Sequence, residues 1–154
     1  MVNQPHNRTA VIDTNLILLV MFAANNRNPA NDTRLSRYSG IDLKTIQNLI
    51  SNFKSLIVTP NILTETSNLL KGFYEHQWLR EFISQIAETY IPSNVVVEEQ
   101  FFNILGLSDA SFFGDEFSGC YIVTDDQPLS NYLASRGRPC IYYSDYRASV
   151  IQSQ

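Results

Sequence analysis

"YIVTDDQPLS", residues 121–130, is an apolar strand pattern that ends in two adjacent aspartates, Asp125 and Asp126, with a helical pattern, Leu129–Ser135, behind it. A corner can be turned with one Asp, or with Asn and Gly, without setting two like charges side by side. The same form recurs in "TAVIDTN", residues 9–15, where the strand Ala10–Ile12 runs into Asp13. Two strands with acidic ends raise the question of whether these acids are turn residues or parts of one site.

Working outward, further strand patterns fall at Leu56–Thr59, Cys140–Tyr143 and, more weakly, Val95–Val97. Helical patterns lie between them at Leu16–Ala24, Leu43–Phe53, Ile62–Phe73, Trp78–Tyr90, Ser108–Phe117 and Leu129–Ser135. Short β-rich runs separated by helices predict βαβ units and a parallel sheet covered on both faces. The expected fold class is therefore α/β. At 154 residues the chain is read as one domain, 1–154, with its core at about 9–144. Residues 1–8 and 146–154 read as tails.

The hydrophobic share of 44% and charged share of 17% are those of a globular chain. The longest apolar run, Leu16–Ala24, is far short of the roughly 20 residues that span a bilayer. It follows Asp13 and Asn15 instead of a basic segment with a cleavage site, so neither a signal peptide nor a membrane association is expected. Cys120 and Cys140 show no CxxC spacing, which excludes structural zinc and predicts buried free thiols in a cytoplasmic protein. Net charge is −4 and the sequence pI about 5.0. That argues against a broad basic grip on nucleic acid, but not against an enzyme that meets phosphates through metal ions.

One segment interrupts the alternation. "NNRNPANDTRLSRYSG", residues 25–40, has almost no apolar residues and reads as a long polar loop, either solvated and mobile or in contact with nucleic acid. Its three arginines, Arg27, Arg34 and Arg37, are opposed only by Asp32 within the segment.

The carboxylates differ in what they suggest. Asp13 sits where open parallel sheets bind ligands, beyond a strand's carboxyl end, and equally where an N-cap belongs. In "VTPNILTETSNLL", Thr59 caps a helix with Pro60 at its first position, and Glu65 borders the apolar stripe of Ile62, Leu69 and Phe73. In "GLSDASFFGDEF", Ser108 is a candidate cap. Asp109 there projects with Phe112, Phe113 and Phe117 towards the sheet, with no Lys or Arg on the same turn. Glu116 shares that face as a peripheral fifth acid. With Asp125 and Asp126, acids from four segments converge on one sheet edge, where they must take up protons or hold cations. Hard oxygen ligands suit Mg²⁺ or Mn²⁺. Thr124 is placed to hydrogen-bond and orient one carboxylate, and a nearby divalent ion would let Asp125 tolerate its neighbour.

"VIDTNLIL", "TPNILTETSNLL", "GLSDASFF" and "IVTDDQPL" together resemble, in order and spacing, the acidic motifs of PIN domains, which include the ribonuclease toxins of VapC type. The resemblance covers residue 9 to about 144. It implies a three-layer α/β/α sandwich with a central parallel sheet, and Mg²⁺- or Mn²⁺-dependent cleavage of RNA. Asp13, Glu65 and Asp109 match the first three acids. The fourth, two residues after the strand-end Thr124, is Asp126, with Asp125 as auxiliary and Asn15 as the polar residue supporting the first acid. An antitoxin protein and a homodimer are partners the resemblance leaves open.

The mechanism expected is hydrolysis with paired ions about 3.5–4 Å apart. Asp13 and Asp109 mainly hold the ion that activates water, and Glu65 and Asp126 the one that stabilises the leaving oxygen. No histidine is placed as a base, since His6 lies in the tail and His76 in the "YEHQW" link. The alternatives are a catalytically inactive PIN-like RNA-binding or interaction module, and a receiver- or phosphatase-type protein. The latter wants a lysine near the acids, and Lys44, Lys54 and Lys71 fall in helices or their flanks.

Overall fold

A computed structural model describes residues 8–154 of the chain. Five parallel strands form one sheet: β1 (Thr9–Ile12), β2 (Ser55–Val58), β3 (Ala87–Glu88), β4 (Tyr121–Thr124) and β5 (Cys140–Tyr142), in the order β3-β2-β1-β4-β5. Helices flank it in a three-layer α/β/α sandwich: α1 (Thr14–Ala24), α2 (Gly40–Ser51), α3 (Pro60–Leu69), α4 (Gly72–Ile83), α5 (Ser93–Val96), α6 (Phe102–Ala110), α7 (Gln127–Ser135) and α8 (Tyr143–Gln152). None of the described helices is long and apolar enough to cross a membrane. Both cysteines are free thiols.

The strand order places the site. Chain order reverses between β1 and β4, so connections leave these neighbours in opposite directions and open a crevice at their carboxyl ends. The register pairs Ile12 with Val123. Asp13 and Thr124, one residue on, are therefore neighbours at that crevice. Strands β1, β2 and β4 each feed a helix whose cap is polar. Asp13 caps α1, Thr59 caps α3 with Pro60 at its first position, and Asp126 caps α7. Helix α1 is apolar nearly all round, with Leu16, Ile17, Leu18 and Leu19 fully buried, because it is packed against α2 and α3 as well as lying over the sheet.

Several expectations are corrected. Val95–Val97 is no strand; its residues form the one-turn helix α5 and its cap, and only Val96 is buried. The strand beyond β2 is Ala87–Glu88, inside the stretch expected to be helical to Tyr90. The expected helix Ile62–Phe73 stops at Leu69, and Gly72, at φ 73°, opens α4, which absorbs "YEHQW". The helix around Asp109 begins after a break at Gly106 (φ 78°), where side chains are strained, and gives way to 3-10 turns. Residues 143–152, most of them read as a tail, are helix α8. His6 lies outside the described residues.

The 25–40 segment is folded rather than open. It makes two 3-10 turns, Pro29–Asn31 and Thr33–Leu35, and buries Leu35 and Tyr38. Arg34 bridges Asp32 and Glu75, and Arg37 pairs with Asp125. Of the three arginines only Arg27 lacks an ion pair among the described residues, so the segment is not a free basic loop.

The C-terminal helix is fastened by a buried charge. Asp42 is fully buried, and its carboxylate accepts from Tyr143 Oη (2.8 Å), Arg147 Nε (2.6 Å) and the Ser39 backbone N–H (2.7 Å). Removing the guanidinium leaves an uncompensated buried carboxylate. Arg147→Met is expected to cost about 2 kcal/mol, read as a lower urea midpoint at neutral pH. An unchanged midpoint would show that Asp42 needs no counter-charge.

Candidate active site

Asp13 is both of the things its position allowed. Its Oδ1 accepts the Leu16 N–H at 3.1 Å, capping α1, while Oδ2 accepts the Thr124 hydroxyl and the Asp125 N–H (3.2 Å). The side chain therefore joins the ends of β1 and β4 and is 7% exposed. Burial pushes its pKa up to about 6; the three hydrogen bonds pull it back, and the charge of Asp125 adds a small rise. Thr124, fully buried, does orient a carboxylate, and its oxygen accepts the Asp126 N–H at 3.0 Å.

The other acids reach the same crevice from separate elements. Glu65 projects exposed from α3, and its Oε2 accepts the Thr14 hydroxyl at 2.8 Å. Asp126 is exposed at the start of α7, with Oδ1 accepting the Leu129 N–H at 2.9 Å. Asp109, half-buried near the end of α6, has its pKa raised to about 7, by burial first and then by Asp13, Glu65 and Asp126. Asp13, Glu65, Asp109 and Asp126 line a cavity of about 290 Å³ together with Thr14, Asn15 and Leu69. As they stand, no three of the described His, Cys, Asp or Glu side chains form a group able to hold one ion.

Two expected acids go elsewhere. Asp125 does not line this cavity; it is 4% exposed and turned into the fold. Its Oδ2 accepts from Tyr38 Oη (2.7 Å) and Arg37 Nε (3.1 Å), and its Oδ1 from the Ser144 N–H (3.0 Å) and hydroxyl (2.6 Å). The charge found beside it is the Arg37 guanidinium. Burial and this carboxylate push the Tyr38 phenol above its usual range. Glu116 sits exposed in the 3-10 turn Asp115–Phe117, outside the cavity, because the helix expected to carry it beside Asp109 has already ended. His76 is on α4, with Nδ1 2.8 Å from the Gly72 carbonyl, and lines a different cavity.

Sequence reasoning missed Thr14 and Arg37. The signal for Thr14 was its place directly after Asp13; Arg37 meets its partner across 88 residues, which no local pattern records.

A scan of protein-family models finds none that matches the chain, and a search of curated proteins returns no match.

The raised value of Asp109 fixes the sign of a pH effect. The native state binds this proton more tightly than the unfolded state, whose ordinary value is 3.8. Stability therefore falls as pH rises from about 4 through about 7. In EDTA, Asp109→Asn should stabilise the protein by on the order of 1–2 kcal/mol at pH 8, with the gain vanishing at pH 4. A variant melting at or below the wild-type temperature at pH 8 would contradict this.

Proposed function

We propose that the chain is a PIN-like endoribonuclease that hydrolyses RNA phosphodiesters using Mg²⁺ or Mn²⁺ held by Asp13, Glu65, Asp109 and Asp126. The observation that carries this reading is the delivery of four carboxylates, from four segments distant in sequence, to one cavity at the switch point of a parallel sheet. Such acids must take up protons or share a cation. The raised pKa of Asp109, pushed up by burial and then by the charges of Asp13, Glu65 and Asp126, records that pressure. The donor set fits the ions proposed, since every ligand is a hard carboxylate oxygen and no cysteine or histidine lines the cavity. No lysine lines it either, which disfavours a receiver- or phosphatase-type site.

A bound divalent ion supplies charge stabilisation at the phosphoryl group and acidifies water. The chain's own residues do the positioning. Asp13 is held by the Leu16 and Asp125 N–H groups and by Thr124, so it is the fixed member of the set. Thr14 tethers Glu65 beside it. Glu65 and Asp126, both exposed, each keep one carboxylate oxygen in a hydrogen bond, to the Thr14 hydroxyl and the Leu129 N–H, and ligation requires them to turn their other oxygen inward. Asn15, exposed on the rim, offers an amide N–H to a phosphate oxygen.

The second reading is an inactive PIN-like module that binds RNA or a protein, and the ungathered state of the carboxylates favours it. Two measurements separate the readings. Saturation at 100 times the dissociation constant for Mn²⁺ should stabilise the wild type by about 2.7 kcal/mol. Asp109→Asn should lower Mn²⁺-dependent RNA cleavage by roughly 100-fold or more. Undiminished turnover in the variant refutes the role of Asp109, and Mn²⁺ stabilisation without any cleavage selects the inactive module.

A further inference from the structure

A net charge of −4 poses a problem for any chain that holds RNA. Five arginines are already in ion pairs: Arg34, Arg37, Arg136, Arg138 and Arg147. Two cations outside those pairs share one surface beside α4. Arg27 and Lys71, both exposed, line a groove of about 480 Å³ with Asn25, Tyr74, Glu75 and Trp78. Glu75 is buried and spends its carboxylate on Arg34 (2.6 and 2.8 Å) and on the Lys71 N–H (2.6 Å). The groove's outward charge is therefore that of Arg27 and Lys71.

Of the two rings that line the groove, Trp78 is half-buried and Tyr74 is largely exposed, next to Phe73 outside the groove. Tyr74 is 73% exposed and meets the 77% exposed Phe73 edge-on, with ring centroids 5.7 Å apart. The Arg27 guanidinium stands 5.9 Å from the centroid of the half-buried Trp78 ring. Neighbouring large rings left in water mark a surface that binds something. Rings interleaved with cations are what single-stranded nucleic acid requires, bases stacking while the charges meet phosphates.

We propose that this groove is a stacking platform for single-stranded RNA, holding the part of the strand next to the segment that enters the acidic cavity. The choice of RNA rests on the nuclease reading; the platform itself rests on the groove. The two sites are linked closely along the chain. Leu69 lines the acidic cavity and Lys71, two residues on and at most about 7 Å away, lines the groove. Ring faces in a groove reach only unstacked bases, so a duplex is disfavoured.

The test is fluorescence anisotropy of the whole chain with a labelled single-stranded RNA dodecamer in EDTA, repeated across salt concentrations. Tyr74→Ala should weaken binding roughly tenfold, and Tyr74→Phe, which keeps the ring, should restore it. Lys71→Ala should reduce the slope of log affinity against log salt by about 0.7, one phosphate contact. The same dodecamer as a duplex should bind more weakly, and both alanine variants should keep the Mn²⁺ thermal shift. Equal RNA binding by Tyr74→Ala and wild type overturns the platform, even if the wild type cleaves RNA. Absence of RNA binding together with self-association lost in Tyr74→Ala also overturns it, in favour of an interface between copies. A wild type without Mn²⁺ stabilisation but with Tyr74-dependent RNA binding keeps the platform and removes the nuclease reading.

Discussion

The carboxylate of Asp13 is the interaction on which the rest depends. One side chain ends β1, caps α1, and takes hydrogen bonds from the Thr124 hydroxyl and the Asp125 N–H at the end of β4. It thereby ties together the two strands between which chain order reverses. Parallel strands need long crossovers, and nothing local fixes how their ends meet. A buried acid with donors from both strands does so, at the cost of a raised pKa. The other acids that line the crevice, Glu65, Asp109 and Asp126, stand around this contact.

The paired aspartates after β4 divide two tasks. Successive residues of an extended chain point to opposite sides. Asp125 turns inward, where Arg37 neutralises it and Tyr38 and Ser144 donate hydrogen bonds to it, which binds the 25–40 segment and the start of α8 to the sheet edge. Asp126 turns outward, caps α7 and faces the cavity. The repulsion that makes the pair look wasteful is relieved because a guanidinium compensates one charge and solvent surrounds the other. The fold keeps the Arg37 counter-charge on Asp125, and the charges that act on Asp109 are those of Asp13, Glu65 and Asp126, all negative.

What was legible in the sequence was what local physics decides. The strands β1, β2 and β4 are β-rich runs with polar ends, and the caps at Asp13 and Thr59 follow from residue type. That Asp13 and Asp126 line one cavity followed from placing the ends of β1 and β4 on one edge, and Glu65 and Asp109 reach it from α3 and α6. What was not legible is non-local or too short. Strand β3 is two exposed residues beside one neighbour, with no periodicity to read. Val95–Val97 carries β-branched side chains, but starts a turn after Pro92 with only Val96 buried, so tertiary context outweighs propensity. The 25–40 segment looked free because the partners of Arg34 and Arg37 include residues 41 and 88 positions away.

The central claim is that these four acids are separate donors to one cation site. Crystals grown or soaked with Mn²⁺ near pH 7.5 and measured for anomalous scattering test it directly. A peak is expected within the cavity, with Asp13 and Asp109 near their present positions and Glu65 and Asp126 swung inward to it. Saturating Mn²⁺ with no peak in an open cavity, or a peak bound only elsewhere on the surface, would contradict it.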